Sequence, residues 1–340
     1  MTADPQVPAE RAAAAQAFAD LLAPGGGRRI ALTTHVNADG DGIGSEVGLW
    51  HLLAARRCEV FIVNPTPTPD RFGFLIPTGA DLTERGPRVF DKADVIVVLD
   101  ISDLSRLGHL AKAVQDRGVP VACIDHHVSP GTLPAGPRLV APEATATAEL
   151  VFDLASALDW PISGEAARAL YVGILTDTGG FRFSNTTARA LRVAAALLER
   201  GVEPESIYEQ VYASAPEGRI RLMTEILQTL VVEPEVGLAW VTVPPDALDR
   251  HRATADDLDG IVEFPRSIAG VRLSLLFRSL ANGRVKVSLR SMGTVDAAEL
   301  AHQFGGGGHR KAAGASLEGS VATVQERVLA AARTYLRGTP

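Results

Sequence analysis

The run Asp94-Val95-Ile96-Val97-Val98-Leu99-Asp100 leaves few folds open. Its β-branched residues do not alternate with polar ones, so it reads as a strand buried on both faces, the environment of a parallel sheet covered by helices. Shorter apolar runs at 30–32, 59–63 and 119–124 read as further strands. Helical stretches surround them: an Ala-rich one at 9–22 closed by Pro24 and Gly25-Gly26-Gly27, one from Glu46 to Arg56, and two at 145–158 and 164–175. Alternating strand and helix predicts an α/β domain with a mostly parallel sheet flanked by helices.

Beyond residue 231 the pattern changes. Strand-like runs at 237–243, 271–277 and 285–289 precede a helix at 296–303 and a terminal helix at 321–336. Asn282-Gly283 is a hairpin signal. We therefore expect an N-terminal α/β domain over 1–200, a helical connector over 201–232, and a smaller C-terminal α/β domain over 233–340 across a cleft. A length of 340 residues suits two domains.

The acids and histidines gather where such sheets bind ligands. His35, Asp39 and Asp41 lie in His35-Val36-Asn37-Ala38-Asp39-Gly40-Asp41-Gly42-Ile43-Gly44-Ser45, between a strand and a helix. Asp100 ends the central strand, and Asp125-His126-His127 end the next. All fall just past strand C-termini, the crevice edge of an open parallel sheet. Neighbouring carboxylates repel without a cation, and an imidazole among them tilts the choice toward a transition metal such as Mn²⁺. Gly40, Gly42 and Gly44 are expected to bring the backbone close to a ligand and to take positive φ. A calcium loop is excluded, because its terminal bidentate Glu falls on Gly48.

A second element, Gly305-Gly306-Gly307-Gly308-His309-Arg310-Lys311, lacks the Lys-Ser/Thr ending of a Walker loop. Bare amides beside three donor side chains, leading into a helix, are expected to bind an anion. A net charge of −7 argues against a broad face for duplex nucleic acid. Two cysteines in apolar runs, no spanning apolar run and no signal-like N-terminus make the expected setting the cytoplasm, with no membrane.

Together, the His35–Ser45 stretch, Asp100, Asp125-His126-His127, Asp177 and the Gly-Gly-Gly-His element resemble the ordered motifs of the DHH phosphoesterases with their DHH-associated second domain. The one departure is Ala38, where the family usually has Pro; it removes no ligand. Length and plan look most like the short bacterial members, which act as oligoribonucleases (nanoRNases) and as phosphatases of 3′-phosphoadenosine 5′-phosphate (pAp). The resemblance implies two divalent ions, Mn²⁺ with Mg²⁺ as the alternative. His35 and Asp39 would hold one, Asp41, His126 and Asp177 the other, and Asp100 would bridge them. It further implies that Asp125 orients a ligand histidine, that His127 and His309 act in catalysis, and that Arg290, Ser291, Gly306, Gly307, Gly308 and His309 bind substrate. The implied partners are short RNA oligonucleotides and small nucleotides, not duplexes, with a homodimer as the candidate assembly. A cyclic di-AMP or linear-dinucleotide (pApA) phosphodiesterase is the alternative; a non-catalytic nucleotide sensor ranks lower, since no ligand is missing.

Overall fold

The computed structural model describes residues 5–22, 27–128, 131–281 and 283–339, without the side chains of Asp256 and His309. The turn residues Pro24, Gly25 and Gly26 and the hairpin residue Asn282 fall outside that description. The chain divides into two compact units, Met1–Ser214 and Ala215–Pro340. Among the described residues, no helix is long and apolar enough to cross a membrane.

The first unit runs α1 (Ala9–Leu22), β1 (Arg29–Thr33), α2 (Gly40–Ala54), β2 (Glu59–Ile62), β3 (Val95–Leu99), α3 (Ala111–Asp116), β4 (Val121–Asp125), β5 (Arg138–Val140), α4 (Thr147–Ala157), α5 (Gly164–Asp177), α6 (Ala188–Leu198) and α7 (Pro204–Val211). Its sheet is all parallel, in the order β2-β1-β3-β4-β5. Every residue of β3 is buried, as its unbroken apolar run requires. β1 and β3 are adjacent but are not consecutive in the chain, so the strand order reverses between them. That is where an open α/β sheet forms its ligand crevice. The three-residue β5 carries too little pattern to be read from sequence.

The glycines of the first motif act differently from expectation. Helix α2 begins at Gly40, not after the loop, because Asp39 caps it: its Oδ1 accepts the Asp41 and Gly42 amides at 3.0 and 3.1 Å. None of Gly40, Gly42 and Gly44 has positive φ. They are needed for packing. A Cβ on Gly44 would lie 2.5 Å from the Ala169 carbonyl oxygen and 2.8 Å from the Gly173 nitrogen. Helix α5 thus packs backbone to backbone on α2, which a larger residue forbids.

The second unit runs α8 (Glu217–Leu227), β6 (Val231–Glu233), β7 (Leu238–Thr242), α9 (Ala247–Arg250), α10 (Glu263–Arg266), β8 (Leu273–Ser279), β9 (Arg284–Ser291), α11 (Ala297–His302), β10 (Gly307–His309), β11 (Ala312–Glu318) and α12 (Val321–Gly338). Its mixed sheet is ordered β10-β11-β9-β8-β7-β6. The expectation that the glycine-rich element leads into a helix is corrected: it forms β10, paired antiparallel with β11. A Cβ on Gly308 (φ +141°) would lie 2.5 Å from the Ala312 carbonyl oxygen, so this close hairpin selects glycine. There is no helix N-terminus there to attract an anion.

The close α2–α5 contact makes a direct prediction. Gly44→Ala should destabilise the protein by about 1–3 kcal/mol through overpacking, read as a lower urea midpoint. An unchanged midpoint would mean that the two helices separate without cost.

Candidate metal centre

The centre is assembled at the C-terminal edge of β1, β3 and β4. Asp100 follows β3 in the left-handed region at φ +59°, a conformation that an Asp tolerates and that clusters at functional sites. It is 2% exposed. Its two oxygens face different groups. Oδ2 lies 3.5 Å from His35 Nε2, which is 3.9 Å from Asp39 Oδ1. Oδ1 lies 3.6 Å from His126 Nε2 and 3.5 Å from His127 Nδ1. His126 Nε2 is in turn 3.7 Å from Asp41 Oδ2 and 3.8 Å from Asp177 Oδ2.

Most of these separations are too long for hydrogen bonds. They suit donors arranged around a common cation. Two sets, His35–Asp39–Asp100 and Asp100–His126–His127, each place one ligand atom per residue within 4.8 Å of the others. Asp100 belongs to both. Nitrogen and carboxylate donors together are the set that a transition metal accepts.

The imidazoles are aimed from behind. His35 Nδ1 meets the Val36 carbonyl at 2.9 Å, and His126 Nδ1 meets the Ala144 carbonyl at 3.2 Å. A carbonyl accepts only, so Nδ1 is the donor in both, which turns Nε2 toward the acids. His127 is held differently. Its Nδ1 meets the fully buried Asp125 Oδ1 at 2.8 Å, and its backbone amide donates to the same oxygen at 3.2 Å.

The acids also have structural partners. Asp41 Oδ2 and Oδ1 accept the Thr147 and Ala148 amides at 2.6 and 2.9 Å. Residue Ala146 gives α4 no side-chain cap, so Asp41 caps that helix from α2. Thr147 Oγ1 donates to Asp100 Oδ1 at 2.9 Å, and Ser45 Oγ donates to Asp41 Oδ1 at 3.1 Å. Sequence reasoning missed Thr147 and Ser45; a Thr near a helix start reads as an ordinary local cap, and the contact with Asp100 spans the fold.

In the second unit, β9 and β11 bring Arg290 opposite Ala312. Arg290 Nε donates to Glu263 Oε1 at 2.9 Å. The Ser291 hydroxyl is buried against the Val295 and Arg310 carbonyls at 2.9 and 3.1 Å. Lys311 Nζ reaches the Gly293 and Val295 carbonyls. Arg290, Ser291 and the 306–308 backbone therefore converge at one end of this sheet, although Arg290 and Ser291 already have internal partners.

Two family models match the chain: the DHH family N-terminal domain over residues 29–174 and the DHHA1 domain over residues 236–338. The bifunctional oligoribonuclease and PAP phosphatase NrnA of Thermus thermophilus is 37% identical over 314 residues, covering 90% of each chain. The chain belongs to the DHH phosphoesterase family. The Bacillus subtilis NrnA is 30% identical over 294 residues, covering 85% of this chain and 89% of the relative. Among solved structures, an exopolyphosphatase-related protein of Bacteroides fragilis superposes with a TM-score of 0.88 at 29% identity, covering 96% of this chain and 98% of that one. The likeness therefore extends along nearly the whole chain.

Without metal, the groups of the centre shift in both directions: despite burial, the imidazoles hold Asp39 and Asp100 below the usual carboxylate range, so these two are ionised throughout pH 6–9, while the other acids and the imidazoles rise. Burial opposes a charge on His35, but the Asp100 and Asp39 carboxylates outweigh it and raise it to about 10. Burial likewise opposes charge on His126, which Asp41, Asp100 and Asp177 raise to about 9. Burial lifts Asp177 to about 7 and pushes Asp41 well above the usual carboxylate range. Raised histidines stabilise the fold fully below about pH 6.5 and lose that contribution as pH rises through 9–10. Raised carboxyls add a cost once the unfolded chain ionises above about pH 4. Both signs agree. The melting temperature of the metal-free protein should fall between pH 6 and pH 9, by about 2–4 °C per kcal/mol lost. A divalent metal would replace those protons, so its stabilisation should be larger at pH 8.5 than at pH 6. Thermal melts with and without metal measure this; a stabilisation that shrinks with pH would contradict it.

Proposed function

We propose that the protein is a two-metal phosphoesterase that hydrolyses short oligoribonucleotides to mononucleotides, and pAp to AMP and phosphate. The observation that carries this reading is the buried Asp100 carboxylate, which presents one oxygen to each of two donor sets. The likeness at 37% identity to an enzyme named for both activities supports the substrate class. The two substrates share their chemistry. Release of a 5′-mononucleotide and removal of the 3′-phosphate from pAp both break a P–O3′ bond.

His35, Asp39 and Asp100 would hold one ion, and Asp100, Asp41, His126 and Asp177 the other. Mn²⁺ suits the imidazoles better than Mg²⁺ does. When bound, the pair would supply Lewis acidity at the phosphoryl oxygen and a lowered pKa for the attacking water. The protein's own groups do the rest. The Thr147 hydroxyl and the left-handed backbone of Asp100 hold that carboxylate between the two sets. Asp125 fixes the His127 ring, and His127 donates a proton to the departing O3′. In the second unit, Arg290, Ser291, the backbone of Gly306, Gly307 and Gly308, and His309 bind the substrate phosphate. The net charge of −7 limits grip on long polyanions, so short substrates are preferred.

A product-resolved assay of the Mn²⁺-loaded protein tests this reading. Turnover should be highest on pAp and the dinucleotide pApA and should fall on long single-stranded RNA. His309→Ala should keep Mn²⁺ affinity but lose about 10²–10³-fold in turnover, the usual cost of one preorganised donor. Degradation of long RNA with pApA left intact would overturn the substrate assignment. Wild-type kinetics of His309→Ala would remove that residue from the site.

A further inference from the structure

Asp177 is the last residue of α5, where the helix no longer restrains its neighbours. The chain then reverses through Gly179, Gly180 and Phe181, all at positive φ. The reversal returns Asn185 to Asp177. Asn185 Nδ2 donates to Asp177 Oδ2 at 3.0 Å, to the Asp177 carbonyl at 3.1 Å and to the Thr145 carbonyl at 3.2 Å. Thr145 Oγ1 donates back to the Asn185 carbonyl at 3.1 Å.

Thr145 is itself anchored. Its amide donates to Glu149 Oε2 at 2.9 Å. Glu149 is held by the buried Arg11 at 2.8 Å and by Arg189 at 3.0 Å. An unbroken path of hydrogen bonds therefore runs from a buried ion-pair cluster to Asp177. The oxygen at its end, Oδ2, is the one that faces His126 Nε2 at 3.8 Å.

We propose that Asn185 is a positioning residue for the second metal: its amide fixes the Asp177 carboxylate so that Oδ2 uses one lone pair on the Asn185 N–H and offers the other on the His126 side. A carboxylate at a helix end rotates readily, and an unrestrained ligand binds a cation less well. Outer hydrogen bonds that orient ligands typically contribute about 10–100-fold in metal affinity. A neutral amide suits the task. It favours the ionised carboxylate without adding a positive charge that would repel the cation. The inference rests on Asp177 being a ligand, as proposed above.

The test is titration of the metal-free, full-length protein with Mn²⁺, counting equivalents by calorimetry. Asn185→Ala should weaken one of two equivalents by about 10–100-fold and leave the other unchanged. Excess Mn²⁺ should restore most of kcat, with KM for pAp unaltered. If Asn185→Ala does not fold, the isosteric Thr145→Val, which loses only the hydroxyl that holds Asn185, should weaken the same equivalent to a smaller degree. Asp177→Ala is titrated beside them. Two equivalents at wild-type affinity in Asp177→Ala would remove Asp177 from the site, and the inference with it. Loss of one equivalent there, with wild-type affinity for both in the Asn185 and Thr145 variants, would overturn the positioning role alone. Equal weakening of both equivalents in Asn185→Ala, without rescue by Mn²⁺, would make Asn185 structural and also overturn it.

Discussion

Four carboxylates converge around two imidazoles at the end of β3, and the first unit is built to hold that concentration of negative charge. Asp100 is nearly inaccessible to water, so its charge must be met inside the protein. Part of the answer is hydrogen bonding: Thr147 reaches Asp100, while the first amides of α2 and α4 reach Asp39 and Asp41. Helix N-termini carry partial positive charge, which favours acids placed there. The remainder falls to the imidazoles, protonated when no metal is present. A cation is the natural replacement for those protons.

Holding the acids together requires helices in unusually close register. Asp41 can cap α4 only if α2 lies against α4 and α5. Gly44 and Gly173 make that approach sterically feasible, since a Cβ on Gly173 would lie 2.5 Å from the Ala148 Cβ and 2.9 Å from Asp41 Oδ1. On the far side of α4, Arg11 binds Glu149 and Asp153 at 2.8 Å each, tying α1 to α4. Breaking one partner of a pair buried this deeply costs about 3–5 kcal/mol. Packing, capping and ligand geometry are thus set by the same side chains.

Much of this was readable from residue order. The apolar 94–100 run announced a central parallel strand, and parallel sheets put chemistry at strand C-termini; hence His35, Asp100 and His126 were legible as one group. The roles of the glycines were not. Gly44 matters because of Ala169 and Gly173, more than a hundred residues away, and no local pattern reports that contact. The same holds for Asn185 and Thr147, whose partners lie on other elements. The glycine run before Lys311 misled because donors beside bare amides suggest a helix start, whereas cross-strand pairing with β11 decides its conformation. Asp39 and Asp41 are helix caps as well as members of the acid cluster, and the caps hold the acids in place.

The central claim is that one carboxylate joins two metal sites. Electron paramagnetic resonance of the protein loaded with two equivalents of Mn²⁺ tests it most directly. Ions that share Asp100 should show the broadened, exchange-coupled spectrum of a spin pair, growing in with the second equivalent. Two additive spectra of isolated Mn²⁺ would contradict the account.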